Sequence, residues 1–412
     1  MKKMLVAVAG TCAFTGVARA QSSVTLYGLI DAGVNYTTSV QTSRATNGSP
    51  RGGSQFAMLD GGLGGLSGSR WGLKGVEDLG GGWKALFQLE SGLNFNNGTL
   101  GQGGAMFGRQ AFVGLSGSPG TLTFGRQYDS VRDFVQSYTA TAQLGGVIGA
   151  RPDDLDNLAN SRRVNNAIKY TSPKFNGLTF GGLYSMGGIA GAPGRNQLWS
   201  LGLNYENGAF AFGGAYLNAR NPNFSYFGTN PNASASVTSN NMGSAGSPAS
   251  PQYNPVYAGF ASAHTMEIFG AATTYNIGNF TLGVNYTYTR FDNLGDTETS
   301  GPNPYHYSGE AIFSSPEVNI QYQVNPALRL GASYNYTHLS RANYDNGATY
   351  NQYSAGASYA LSKATVIYGV AVYQSASGTD SLNQPAVASL DGLTPSATSH
   401  QASFRLGLRH YF

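Results

Sequence analysis

Cysteine is nearly absent. Cys12 is the only one in 412 residues. It lies in an N-terminal export segment, so the rest of the chain carries no disulfide and no thiol chemistry. Charge is scarce as well: Asp, Glu, Lys and Arg make up 11% of the chain, against about 25% in an ordinary soluble domain. No apolar run beyond the N-terminus is long enough for a membrane-spanning helix. The five histidines (264, 306, 338, 400 and 410) are scattered, and none has metal-ligand spacing, so no metal and no cofactor is expected. Neither charge sign dominates. Lys2, Lys3 and Arg19 belong to the export segment, which leaves 24 − 3 = 21 basic residues against 20 acidic ones. A balance near +1 argues against nucleic acid as a partner.

The export segment is a predicted signal peptide, residues 1–20. Lys2 and Lys3 precede the mostly apolar or small residues Met4 to Val17, and Ala18-Arg19-Ala20 supplies the small residues of a cleavage site. The mature chain, 21–412, is then one domain.

What is abundant is glycine (58), tyrosine (26) and phenylalanine (21), arranged in a rhythm of period two. Phe280, Leu282, Val284, Tyr286 and Tyr288 alternate with Thr281, Gly283, Asn285 and Thr287. Leu328, Leu330, Ala332, Tyr334 and Tyr336 alternate with Arg329, Gly331, Ser333, Asn335 and Thr337. Such segments are strands with one apolar and one polar face. Sixteen of them can be drawn, from Val24–Tyr36 to Ala402–Phe412, joined by alternately short and long connections. One such short connection is Glu206-Asn207-Gly208. Aromatics gather near strand ends (Tyr36, Trp83, Tyr205, Tyr288, Tyr336, Phe412). A sheet whose apolar side meets lipid and whose polar side meets water must close on itself. The pattern predicts an all-β, sixteen-stranded antiparallel transmembrane barrel with short turns at one end and long loops at the other. Val366–Val372 is apolar on both parities, and its facing is not readable.

Function in such a barrel lies in charges that project into the lumen, where low-dielectric walls focus the field. Trp71 and Leu73 take the lipid parity, so Arg70 and Lys74 face inward. Trp83, Ala85, Phe87 and Leu89 do the same in the next strand, leaving Lys84, Gln88 and Glu90 inside. Arg109 opens a strand. Arg126 shares parity with Leu122 and Phe124 and needs a bulge to turn inward. The third long gap, Tyr128–Asn165, carries Asp129, Asp133, Asp153, Asp154 and Asp156. Folded into the bore, its acids would oppose the basic wall. At the end of the chain Phe404, Leu406, Leu408 and Phe412 share the outer parity, while Arg405 and Arg409 share the inner one. A strand ending in Phe is readable as an edge by assembly machinery.

Several blocks carry a resemblance: SVTLYGLIDAGV (23–34), SRWGLKGVEDLGGGWKALFQLESGLN (69–94), FGRQAFVGLSG (107–117), GTLTFGRQYD (120–129) and GLRHYF (407–412). The chain resembles the general diffusion porins of the Gram-negative outer membrane, most closely those of β-proteobacteria. The resemblance implies a trimeric barrel exported to the outer membrane, with the third external loop folded into each pore. It implies passive diffusion of small hydrophilic solutes and ions, contact with outer-membrane lipid, and engagement of the barrel assembly machinery through the C-terminal strand. Arg70, Lys74, Arg109 and Arg126 would form the basic side of the constriction. Glu90 and the acids of 129–156 would form the other side. The acidic loop motif of enterobacterial relatives is absent, and Tyr411 stands where the family often has a basic residue.

Two other classes fit a barrel. An outer-membrane hydrolase needs a histidine paired with Ser or Asp. An adhesin or dedicated channel would use the long loop Asn218–His264, whose stretch NPNASASVTSNNMGSAGSPAS has the composition of flexible surface.

Overall fold

The computed structural model describes residues 23–228, 237–341 and 347–412; the predicted signal peptide lies outside these. Among the described residues, eighteen strands form one antiparallel sheet that closes on itself. They are β1 (Ser23–Arg44), β2 (Pro50–Asp60), β3 (Arg70–Gly80), β4 (Trp83–Asn94), β5 (Thr99–Leu100), β6 (Gln110–Gly117), β7 (Gly120–Gln127), β8 (Val164–Thr171) and β9 (Leu178–Ser185). They continue as β10 (Leu198–Asn207), β11 (Phe210–Arg220), β12 (Thr265–Ile277), β13 (Phe280–Leu294), β14 (Gly309–Gln323), β15 (Leu328–Arg341), β16 (Thr349–Ala360), β17 (Thr365–Ser377) and β18 (His400–Tyr411).

The wall nevertheless has sixteen staves. β5 pairs only with β4. β2 and β3 occupy one stave, because β2 pairs with the upper part of β1 (Ala32–Arg44) and β3 with its lower part (Ser23–Leu29). Removing β5 and merging β2 with β3 takes eighteen to sixteen. The sequence pattern misses β2, placing it inside the gap Thr37–Ser69. Pro50, Arg51, Gly52 and Gly53 open it without alternation, and only its pairing with β1 makes it a strand.

The outward face is as the period predicts. Leu282 and Val284 on β13 and Leu201 on β10 are exposed to the exterior. On β18, Leu406 is 75% exposed while its neighbour Arg405 is 1% exposed. Val366–Val372, unreadable from sequence, resolves here. Ile367 is exposed, whereas Tyr368, Val370 and Val372 turn inward beneath Ile148 and Leu390. Both faces of that strand are apolar because the lumen side is covered by loops rather than by water.

The lumen is far from uniformly wet. Inward residues of β9–β15, among them Leu183, Leu217, Ile268, Phe291 and Phe313, join one core with Val131, Phe134, Tyr226, Tyr257 and Phe260 from loops. Burial of this apolar surface holds the third loop (128–163) and the fifth (221–264) inside the barrel. Asn223, Met242 and Val256–Ala263 are buried. The fifth loop is therefore packed over much of its length rather than free surface; residues 229–236 of its polar stretch lie outside the described residues.

The chain closes through β1 and β18, whose register runs from Leu29↔Tyr411 to Thr37↔Ser403. Gly28 and Phe412 exchange both backbone hydrogen bonds, at 3.0 and 3.1 Å. A Cβ at Gly28 would press on the Phe412 ring and lie 2.6 Å from the Arg70 carbonyl oxygen. Gly28→Val should therefore displace the terminal ring and cost about 1–3 kcal/mol. The check is the fraction of chain refolding to a heat-modifiable barrel, which should fall. Wild-type yield and melting would count against this account of closure.

Candidate functional site: the bore and its arginines

The lumen contains a cavity of about 980 Å³. Arg70, Arg109, Arg132, Arg162, Arg163 and Arg409 line it, together with the acids Asp60, Asp153 and Asp391.

The basic wall is built from β3, β4 and the start of β6. Period two turns Arg70, Gly72 and Lys74 to the same side as Tyr27, Gln88 and Glu90; across the ladder Gly72 pairs with Tyr27 and Glu90, and Lys74 with Gln88. Glu90 is almost wholly enclosed. Its carboxylate accepts from Arg109 Nε at 2.7 Å, Tyr128 Oη at 3.1 Å and Tyr27 Oη at 2.9 Å, and lies 3.8 Å from Arg70 Nε. One carboxylate thus sits between two guanidinium groups, and the cluster keeps a net positive charge. Lys74, one turn of pleat further along β3, is exposed, with its ammonium 5.2 Å from the Tyr27 ring centre. Arg126 faces Ala111 across the ladder, and the β7–β8 register shifts just after it. Its guanidinium donates to the Gly108 carbonyl, at 2.8 Å, and to Asn165, and it is not among the cavity's lining residues.

The third loop enters the bore through the short helix α1 (Ser130–Phe134), capped by Asp129, which accepts from the Arg132 backbone N–H at 3.1 Å. Its acids are occupied. Asp129 also accepts from Tyr226 and Asn157 at 2.8 and 2.7 Å. Asp133 pairs with Lys169 at 2.8 Å and Arg132 at 3.1 Å. Asp154 accepts from the backbone of Ala159 and Ser161 at 2.7 and 2.8 Å. Asp156 lies 2.9 Å from Arg151 Nε and accepts from Thr287 at 2.7 Å. Asp153 accepts from the Val256 backbone N–H at 3.2 Å and from Ser389 Oγ at 2.5 Å. Of these five, only Asp153 lines the cavity. The rest of the loop's contribution to the lining is neutral or basic, and includes Gln136, Thr141, Ala142 and Val147, with Arg132, Arg162 and Arg163.

Sequence reasoning missed Arg151 and Glu317, which pin the loop. The Arg151 guanidinium is fully buried, 3.4 Å from Glu317 of β14, and donates to the Ser315 carbonyl at 3.1 Å and to Asn285. Glu317 also accepts from the Ala140 backbone N–H at 2.8 Å. The available signal was Glu317 itself, a charge at mid-strand between Ser315 and Asn319. Arg163 was likewise not singled out as lining. It packs against the Tyr128 ring, 5.5 Å from its centre. Burial and the neighbouring Arg109 bring its pKa down to about 9.

Where the third loop meets the eighth (378–399), burial raises the Asp153 pKa to about 7, against the lowering effect of Ser389, the Val256 amide and Arg162. Burial raises Asp154 to about 6, and lifts Asp391 well above the carboxylate range. An unfolded or opened loop returns Asp153 to about 3.9. Between these values the closed form binds more protons, so closure weakens as pH rises from about 4 to 7 and levels off above. Hydrogen exchange at the Val256 amide, corrected for its intrinsic rate, should therefore show greater protection at pH 5 than at pH 8. Asp153→Asn should shrink the difference, leaving the part that Asp154 and Asp391 supply. Equal protection in the wild type would contradict this.

The histidines do not converge. The Nδ1 atoms of His264, His338, His400 and His410 share hydrogen bonds with Thr265, Thr349, Tyr373 and Thr365 respectively. Among the described residues no group of three or more His, Cys, Asp or Glu side chains is placed to hold a metal ion.

A closed sixteen-stave barrel has counterparts among known proteins. The model of the Gram-negative porin family matches residues 5–379. The chain belongs to this family. It is 38% identical to an outer membrane porin protein of Bordetella pertussis over 247 residues, 54% of this chain and 61% of that one. It is 34% identical to the major outer membrane protein P.IB of Neisseria meningitidis over 221 residues, 52% and 59% of the two chains. It is 37% identical to outer membrane porin protein 32 of Delftia acidovorans over 190 residues, 44% and 48%. The matches thus span about half to three-fifths of these curated relatives. Among solved structures, the anion-selective porin from Comamonas acidovorans shares the fold, with a TM-score of 0.67 at 22% identity over 95% of this chain and 100% of that one. OmpT of Vibrio cholerae does so with a TM-score of 0.60 at 15% identity, over 95% and 98%. The chain is an outer-membrane β-barrel of the porin family.

Proposed function

We propose that this porin is a passive channel for small hydrophilic solutes, that its constriction is positive, and that it prefers anions. The observation that carries this is the formal charge along the cavity: six arginines against three aspartates, 6 − 3 = +3, which the burial that raises Asp153 and Asp391 makes more positive still. Arg70 and Arg109, with Arg163, form the basic side. The third loop presents no acidic face to the bore: it adds Arg132, Arg162 and Arg163 against Asp153, while Asp129, Asp154 and Asp156 lie behind it in hydrogen bonds and Asp133 is held by Lys169 and Arg132. Glu90 belongs to the basic cluster, where it spaces the guanidinium groups. Lys74 and Arg126 flank the constriction. In low-dielectric walls such an imbalance raises local anion concentration. The porin of Comamonas acidovorans that shares this fold is anion-selective, which agrees with this reading.

The assembly is a homotrimer, as in the family, with the apolar outer belt against lipid. Phe404, Leu406, Leu408 and Phe412, all outward and exposed, form the strip that the barrel assembly machinery reads. Reversal potential across a KCl gradient in a planar bilayer tests the selectivity: its sign should report chloride as the more permeant ion. A cation-selective potential overturns the charge assignment. A folded barrel that fails to swell liposomes in sugar overturns the channel itself.

A further inference from the structure

The bore carries apolar surface where a general channel for hydrophilic solutes needs none. Leu63 is 39% exposed and lines the cavity with Leu66, Val147 and Leu393. These four come from three separate inward segments: the excursion between β2 and β3, the third loop, and the eighth loop. The segments are fastened together. The Val147 backbone N–H donates to the Gly65 carbonyl at 2.8 Å. A Cβ at Gly392 would meet the Leu63 carbonyl oxygen at 2.6 Å and Val147 Cγ1 at 2.9 Å, so the three backbones touch. Leu66 and Leu393 rest on the buried cluster of Ile148, Val370, Val372 and Leu390. The patch is therefore preformed and does not depend on a solute to assemble it.

Its edge is cationic. Gly68, two residues after Leu66, would place a Cβ 3.3 Å from Arg109 Nη1, and Arg70 follows directly after Ser69. Two residues span at most about 7 Å, the length of a small aromatic acid. A solute with a carboxylate on Arg70 and Arg109 can lay its body against Leu66 and Leu63, removing apolar area of both from water. An inorganic anion or acetate uses the arginines alone. A neutral aromatic uses the patch alone.

We infer that the bore holds a binding site for small monoanions with an apolar body, aromatic monocarboxylates being the type. This rests on the positive-bore reading and adds the class of anion that the bore retains.

The test is current block in planar bilayers. Chloride current through the full assembled porin is recorded while sodium benzoate, sodium acetate or benzyl alcohol is added at constant ionic strength. Benzoate should block at concentrations about three- to tenfold lower than acetate, the size expected from partial burial of one ring face. Benzyl alcohol should block more weakly than benzoate. Leu63→Ser with Leu393→Ser should bring benzoate down to the level of acetate. Equal block by benzoate and acetate in the wild type overturns the inference, with no variant needed. Benzyl alcohol as effective as benzoate overturns the two-part site. Failure of the underlying reading looks different: a chloride current that is absent or cation-dominated, before any organic acid is added.

Discussion

Arg151→Met should release the third loop from the barrel wall. The guanidinium is fully buried between Asp156 and Glu317, at 2.9 and 3.4 Å. Truncating one member of such a set leaves carboxylates enclosed without their counter-charge, which costs about 3–5 kcal/mol. Opening the loop is the available relief, because it returns Asp156 to water and takes the Ala140 amide away from Glu317. Single-channel conductance should rise and become noisier, and the temperature at which the assembly dissociates should fall. The charge origin of the effect has its own check. Arg151→Met combined with Asp156→Asn and Glu317→Gln removes the unpaired charges and should recover much of the loss, since replacing a whole buried ionic group by neutral residues is often nearly neutral. A quiet, wild-type channel in the single variant would mean that the apolar core around Phe134 and Tyr257 holds the loop unaided.

Reversing two lumen charges should remove most of the anion preference. With six arginines and three aspartates along the cavity, each Arg→Glu change alters the sum by −2. Arg70→Glu alone takes +3 to +1 and should move the reversal potential toward cations. Arg70→Glu with Arg163→Glu takes the formal sum to −1 and should move the potential about twice as far, leaving little anion preference. Arg70 is a strong choice because it stands 3.8 Å from Glu90; a glutamate there adds a second carboxylate to the first and leaves Arg109 to balance both. The shift is bounded by the Nernst limit, ~59 mV for a tenfold gradient of a univalent ion. An unchanged potential in both variants would place the selectivity elsewhere, at Arg409 or in the loops above.

Much of this was legible before any coordinates. Period two is local, so each strand announced its lipid face by itself, and alternating short and long connections required an up-and-down sheet. The inward parity of Arg70 and Glu90 followed from their neighbours alone. β2 was not legible, because Pro50 and the glycines after it carry no alternation and its partner lies on β1. The doubly apolar Val366–Val372 was not legible either, since its inner cover is Ile148 of one loop and Leu390 of another.

The fate of the loop acids belongs wholly to tertiary structure. Composition put five aspartates on one inward loop and suggested a negative face. Each found partners that only loop path and barrel register supply: Asp156 with Thr287, Asp153 with Ser389, Asp129 with Tyr226. The same holds for Arg405 of β18, which reaches Asp31 at 3.1 Å from 374 positions away. Sequence by itself determined which face of each strand meets lipid, because side-chain direction along a strand repeats every two residues. Only the closed structure decided which charges remain open to the bore, because that depends on which polar groups, far apart in the chain, are brought within hydrogen-bonding distance.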